Sequence, residues 1–297
     1  PEHRGEPGRG DCIEVAGDVG AGHGDNNTRP AAQLHAPCAK LGRPLLSRAV
    51  PKPRFQAVFF DFGGTLFSYR ELTGRPFSPV QNAIQRLGVK MPAREVSRAY
   101  WKASDEIFRS YTDRRYYLHR DLFRDTLIRF CEMVEASPDN EFLDEALESQ
   151  RIFMLENFRL RADCLSTLEQ LRGAGMVLSI VSNIDDDYLH EMVERAGLQE
   201  VLHHWSSSEE AQSCKPDPGF FEHALEKAGV AAEGVLFVGD SPAHDIAGAR
   251  AMGMTTALIR DDENPVAMGD TEPHHRISQL SELLAIAGVE NERGREE

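Results

Sequence analysis

Asp61 ends a short apolar run, Gln56-Ala57-Val58-Phe59-Phe60, and stands just ahead of Gly63 and Gly64. A carboxylate at the tip of a buried strand, before two glycines that announce a tight turn, is placed for chemistry rather than for solvent. Three other segments carry reactive residues beyond their ends. Ser182-Asn183 follows one apolar run, Lys215-Pro216 lies beyond another, and Gly239-Asp240-Ser241 follows a third with Asp245 close behind. Carboxylates, a hydroxyl, an ammonium and glycine-exposed backbone amides at one sheet edge form a site for a phosphoryl group and a hard divalent cation. Magnesium prefers oxygen ligands and keeps waters, which suits Asp61 and Asp240 plus one backbone carbonyl. Gly63 and Gly64 let N–H groups turn inward around an anion, and the helix start after Ser182 adds its positive dipole end.

The elements that must position these residues follow from periodicity. After Leu165 the pattern predicts a helix to Gly173, then strand Met176–Val181, helix Asp187–Ala196, strand Val201–Trp205 and helix Gly219–Ala228. It continues with strand Val235–Val238, helix His244–Met252, strand Thr255–Ile259 and a closing helix Ile277–Ala287. Such alternation implies right-handed crossovers and an α/β fold, a Rossmann-like doubly wound parallel sheet whose ligand lies beyond the carboxyl ends of its strands. Between Pro79 and Phe158 the pattern is helical throughout, with Phe108, Leu118, Leu122, Leu127, Phe130, Met133 and Val134 at helical spacings. The expected organisation is a disordered leader over 1–54, a core from 55–78 and 159–290, an inserted all-helical domain over 79–158, and a disordered tail over 291–297. Phe108, Phe123, Phe130 and Met133 are expected in the core of the insert.

Taken together, Val58-Phe59-Phe60-Asp61-Phe62-Gly63-Gly64-Thr65-Leu66, Ile180-Val181-Ser182-Asn183, Cys214-Lys215-Pro216-Asp217-Pro218 and Val238-Gly239-Asp240-Ser241 through Asp245 resemble the four motifs of the haloacid dehalogenase (HAD) superfamily, in family order and spacing. The resemblance covers about residues 56–289, and the helical insert resembles the C1 type of cap found in that family. It implies that Asp61 is the nucleophile that forms an aspartyl-phosphate, which water then hydrolyses. It implies phosphate binding by Phe62, Gly63, Thr65, Ser182, Asn183 and Lys215. Lys215 would also hold nucleophile and phosphate together. The implied Mg2+ site comprises Asp61, Gly63, Asp240 and Asp245, the last often an indirect ligand or an orienter of the lysine.

One position departs from the family pattern. Phosphatases of the family usually carry a second aspartate two residues after the nucleophile, as general acid and base; here that residue is Gly63. Such a group contributes typically about 10² to 10⁴ in rate. The favoured expectation is a Mg2+-dependent phosphatase acting on a small phosphorylated metabolite. The alternatives are a 2-haloacid dehalogenase-like hydrolase, whose relatives also lack that aspartate but need no magnesium, and a catalytically weakened binding or regulatory protein.

Other residues invite sharper readings than they support. His119-Arg120-Asp121 mimics a kinase triplet, but Thr126 stands where the required Asn would be, and no glycine-rich loop precedes it. Arg114, Arg115, Tyr116, Tyr117, His119 and Arg120 form a cationic-aromatic cluster, and Arg115, Tyr116 and Arg120 are candidate substrate-specificity residues. Asp185, Asp186 and Asp187 are read as residues that open a helix, and His244 as an ordinary helix-start histidine. With 33 Lys and Arg against 48 Asp and Glu, the formal charge of −15 disfavours nucleic acid and anionic lipid as partners. Five widely spaced cysteines without a CxxC pair fit reduced thiols in a cytoplasm, and no apolar run approaches the ~18 residues of a membrane span.

Overall fold

The computed structural model describes residues 53–69, 72, 84–260 and 271–289. The expected leader lies outside the described residues apart from 53 and 54, and the expected tail lies wholly outside them.

Six parallel strands form one sheet in the order β3-β2-β1-β4-β5-β6. They are β1 (Ala57–Phe60), β2 (Val177–Ser182), β3 (His204–Ser207), β4 (Val235–Gly239), β5 (Thr255–Ile259) and β6 (His275–Ile277). The central strand β1 is buried along its whole length, because both sheet faces are covered. Val58, Phe60, Leu178, Ile180, Leu236 and Val238 point to one face, and Ala57, Phe59, Val181, Val235 and Phe237 to the other. Helices α4 (Cys164–Gly173), α5 (Asp186–Arg195) and α9 (Glu282–Ala287) pack on the first face, with Leu168, Leu189 and Leu283 fully buried. Helix α7 (Pro218–Ala228) covers the second through Phe220 and Phe221, each contributing about 1.5–3 kcal/mol of burial.

Between β1 and β2 the described residues also form the helices α1 (Ala93–Tyr111), α2 (His119–Met133) and α3 (Asn140–Asn157). They bury their own apolar cluster, including Val96, Tyr100, Leu127, Phe130 and Leu143. The all-helical reading of this stretch therefore holds over the described part. Phe130 is fully buried there, Phe123 and Met133 are half-buried, but Phe108 is 42 % exposed and does not belong to the cluster.

The register sets the site. Phe60 pairs with Ile180 on one side and Val238 on the other, so β1, β2 and β4 end nearly level. Because β1 is followed by strands on both of its flanks, its carboxyl end is the topological switch point where α/β sheets open a crevice.

Three expectations at the edges change. The expected helix His244–Met252 begins instead with a widened turn over Pro242–Ile246, in which Ile246 N–H donates to the Ser241 carbonyl five residues back, and becomes helical as α8 only over Ala247–Ala251. The expected closing helix from Ile277 yields its first residue to β6, too short a strand to show a period of two, and α9 starts at Glu282. The third strand lies at His204–Ser207 rather than Val201–Trp205, and the four-residue helix α6 (Ser208–Ala211) follows it. Among the described residues no helix is long and apolar enough to cross a membrane.

Candidate active site

The loop after β1 is held from both sides. Asp61 N–H donates to the Val238 carbonyl at 2.8 Å, anchoring the strand tip to β4. Arg161, just ahead of α4, donates to the carbonyls of Gly64 (2.6 Å) and Thr65 (2.7 Å). Gly64 has φ +82°, and a Cβ there would lie 2.1 Å from Asp240 Oδ2. Only glycine permits both that conformation and the approach of the Asp240 carboxylate.

Asp61 sits in a web of donors. Lys215 Nζ donates to its Oδ1 at 2.8 Å, Ser182 Oγ to the same oxygen at 3.0 Å, and Thr65 Oγ1 to Oδ2 at 3.3 Å. Lys215 Nζ also donates to Asp245 Oδ1 at 2.6 Å. The other Asp245 oxygen accepts from Ser241 N–H at 2.9 Å, which the widened turn after β4 makes possible. Burial works against the Lys215 ammonium, but Asp245 and Asp61 more than offset it, and its pKa is held above the ordinary lysine value. Asn183 uses its carboxamide on the Lys215 backbone, accepting from its N–H at 2.7 Å and donating to its carbonyl at 3.0 Å. That side chain positions the lysine loop.

Asp240 differs from its neighbours. Asp61, Asp240 and Asp245 offer carboxylate oxygens within 4.8 Å of one another. Burial and the charges of Asp61 and Asp245 push the Asp240 carboxyl well above the usual carboxylate range. Three carboxylates gathered this closely repel one another, and oxygen donors at such spacing suit a hard cation. These donors fit a hard divalent ion, which Asp240 and Asp61 would hold, with Asp245 beside them also orienting Lys215.

The side of the loop at Gly63 is occupied by another part of the chain. A Cβ on Gly63 would fall 2.1 Å from the Tyr69 hydroxyl. Tyr69 rests its ring edge-on against Phe67 at 5.1 Å. The position where a second carboxylate would branch from the backbone is thus filled by a phenol hydroxyl.

The helical insert is fastened to the core beside this cluster. Asp185, only 5 % exposed, accepts backbone N–H bonds from His119 (2.7 Å) and Arg120 (2.8 Å) and pairs with the Arg120 guanidinium at 3.4 Å. It therefore differs from its expected role at a helix start: it sits at the N-terminal boundary of α5, but its carboxylate clamps the start of α2. The three proposed specificity residues engage the core as well. Arg115 pairs with Asp217 at 3.3 Å, the Tyr116 hydroxyl accepts from Gln212 at 3.3 Å, and Arg120 also binds Glu209. Their recorded partners are core side chains rather than Asp61 or Lys215. Phe108 stands edge-on to His244 at 5.5 Å, so one insert aromatic touches the loop that carries Asp240 and Asp245.

Asp185, Arg161 and Tyr69 escape sequence reasoning because each acts through contacts made only on folding. The dense cluster at 114–120 was the one local signal that this stretch meets something charged.

The haloacid dehalogenase-like hydrolase family matches residues 55–253. The chain is 26 % identical over 243 residues to (S)-2-haloacid dehalogenase 4A of Burkholderia cepacia, covering 78 % of this chain and 94 % of that protein. It is 27 % identical over 237 residues to a glyceraldehyde 3-phosphate phosphatase of Methanopyrus kandleri, covering 78 % and 96 %. The crystal structure of a HAD phosphatase from Thermococcus onnurineus superposes with a TM-score of 0.56 at 25 % identity, covering 79 % of this chain and 99 % of that one.

Proposed function

The chain belongs to the haloacid dehalogenase-like hydrolases, and from that membership we propose that it is a Mg2+-dependent phosphatase of small phosphorylated metabolites, working through an aspartyl-phosphate on Asp61. Asp240 carries this reading. Its carboxylate gathers with those of Asp61 and Asp245 within 4.8 Å, beside a loop that only a glycine at φ +82° lets come so near, and oxygen donors at that spacing suit a metal-dependent reaction.

Asp61 attacks phosphorus through a carboxylate oxygen, and the bond to the leaving oxygen breaks. Lys215 offsets the repulsion between carboxylate and phosphate from 2.8 Å away. Ser182 keeps Asp61 oriented from Oδ1 and is placed to donate to a phosphoryl oxygen as the carboxylate moves toward bonding. Asp245 keeps Lys215 charged and aimed, and the backbone amides of Gly63 and Gly64 would turn toward the anion, the Thr65 N–H being given to the Phe62 carbonyl at 3.3 Å. A bound Mg2+ would neutralise phosphoryl charge beside Asp61 and Asp240.

A dehalogenase reading draws on the similarity to the B. cepacia enzyme and on the glycine at position 63. A panel of phosphorylated metabolites and 2-haloacids, assayed with Mg2+ and with EDTA, separates the two. Phosphate release that EDTA abolishes is expected. Halide release indifferent to EDTA would replace the phosphatase reading with the second one.

Gly63→Asp tests whether the absent carboxylate limits the rate. The single variant must first displace the Tyr69 hydroxyl from 2.1 Å, so it is expected to gain little. Paired with Tyr69→Ala, which clears the space, the aspartate is expected to raise phosphatase turnover by up to about 10²-fold. Equal turnover of the double variant and Tyr69→Ala alone would show that proton transfer at this position is not limiting.

A further inference from the structure

We infer that His119, the first residue of α2, is the general base for the second half-reaction, taking a proton from the water that breaks down the covalent intermediate on Asp61. The inference rests on the reading of Asp61 as nucleophile, but it holds whether that intermediate is a phosphoryl or a carbon ester.

His119 Nδ1 is covered from solvent and has no hydrogen-bond partner among the described residues. A buried imidazole nitrogen left without a partner costs about 1–3 kcal/mol, so its retention calls for a reason outside packing. The residue is also fixed in place. Its own N–H and that of Arg120 are held by the Asp185 carboxylate, three residues past Ser182. Its ring lies 5.0 Å from Tyr117 and 6.2 Å from Phe123. This wall of the insert abuts the lysine loop: Cys214, the residue before Lys215, donates its N–H to the Arg115 carbonyl at 2.8 Å and its Sγ–H to the Tyr117 carbonyl at 3.6 Å. Burial first, and then Lys215, pull its pKa down to about 4, while Asp61 pulls the other way. His119 is therefore uncharged at neutral pH and available as an acceptor.

The step balances without any co-reactant beyond water. The water oxygen bonds to phosphorus, and the bond from phosphorus to the Asp61 oxygen breaks with its electron pair returning to the carboxylate. One water proton passes to His119 Nδ1, and the imidazolium releases it to solvent as phosphate leaves. In the carbon-ester case the same nitrogen takes the same proton while water cleaves the ester. The insert thus supplies what Gly63 cannot.

The test follows the covalent adduct rather than turnover alone. The full chain with Mg2+ is mixed with 4-nitrophenyl phosphate, and in parallel the metal-free chain with 2-chloropropionate; intact protein mass is read after rapid quenching. With His119→Gln, the adduct on Asp61 is expected to form at the wild-type rate and accumulate, while its breakdown slows about 10²- to 10⁴-fold. His119→Ala is expected to regain part of that rate with added imidazole, saturably, a response that loss of a merely structural contact would not give. Breakdown at the wild-type rate in His119→Gln, or formation and breakdown slowed equally with no accumulation and no imidazole rescue, overturns the role of His119 and leaves Asp61 as nucleophile. If no adduct forms with either probe in either protein, the Asp61 reading falls, and the base falls with it.

Discussion

Asp61→Asn is expected to lower turnover of any accepted substrate by about 10⁴-fold or more, with no covalent adduct, while leaving the fold almost as stable as before. The asparagine keeps a carbonyl oxygen where Ser182 and Lys215 donate, at 3.0 and 2.8 Å, so the local hydrogen bonds have an acceptor. Two charge effects oppose each other. Lys215 loses one of two anionic partners, and Asp240 loses a neighbouring negative charge that raises its pKa. Asparagine cannot displace a leaving group to form the ester, so the lost activity is chemical rather than structural. Denaturant unfolding should place the variant within about 1–2 kcal/mol of wild type. Retention of more than a few per cent of turnover by freshly purified protein would remove Asp61 from the mechanism.

How much of this site could be read from the sequence depends on how each residue is specified. Asp61, Ser182, Lys215, Asp240 and Asp245 were legible because each follows a strand that a short apolar run announces, and parallel strands bring their carboxyl ends to one edge. The register of β1 against β2 and β4 then brings those ends level. The parallel sheet and the helical insert were legible for the same reason, since both declare themselves through local period. Residues acting across the chain were not. Asp185 looked like one of three aspartates opening a helix, and nothing local distinguishes the one that reaches 66 positions back to the His119 amide. Arg161 clamps a turn 97 residues earlier. Tyr69 fills the space beside Gly63 only because the chain doubles back after Phe67. The widened turn at Pro242–Ile246 was hidden because its residues suit an ordinary helix start, and the bond that its Asp245 accepts from Lys215 is a tertiary one with no local signal.

Lys215→Met should damage both stability and catalysis, and its pH dependence should show why. The methionine fills a similar volume but removes the one ammonium recorded between Asp61 and Asp245, at 2.8 and 2.6 Å among the described residues. Three carboxylates then share a buried cluster with no cation, and breaking a buried pair in this way costs about 3–5 kcal/mol at neutral pH. Lys215 also lowers the Asp240 pKa, so its removal pushes an already raised carboxyl higher. A carboxyl whose folded pKa lies above its unfolded value binds more protons in the folded state, so its destabilising effect shrinks as pH falls. The wild-type ammonium, with its own pKa held up, keeps its contribution at every pH below the unfolded lysine value of about 10.4. The stability gap between the two proteins is therefore expected to narrow from pH 8 to pH 5, and to narrow at pH 8 when Mg2+ is added, because a divalent ion would replace part of the missing charge. Turnover should stay low in both conditions, since the ion does not restore the donor that holds Asp61 against its substrate. A gap that neither acid nor Mg2+ reduces would mean that the three carboxylates are not electrostatically coupled, and the assignment of Asp240 as a cation ligand would fail with it.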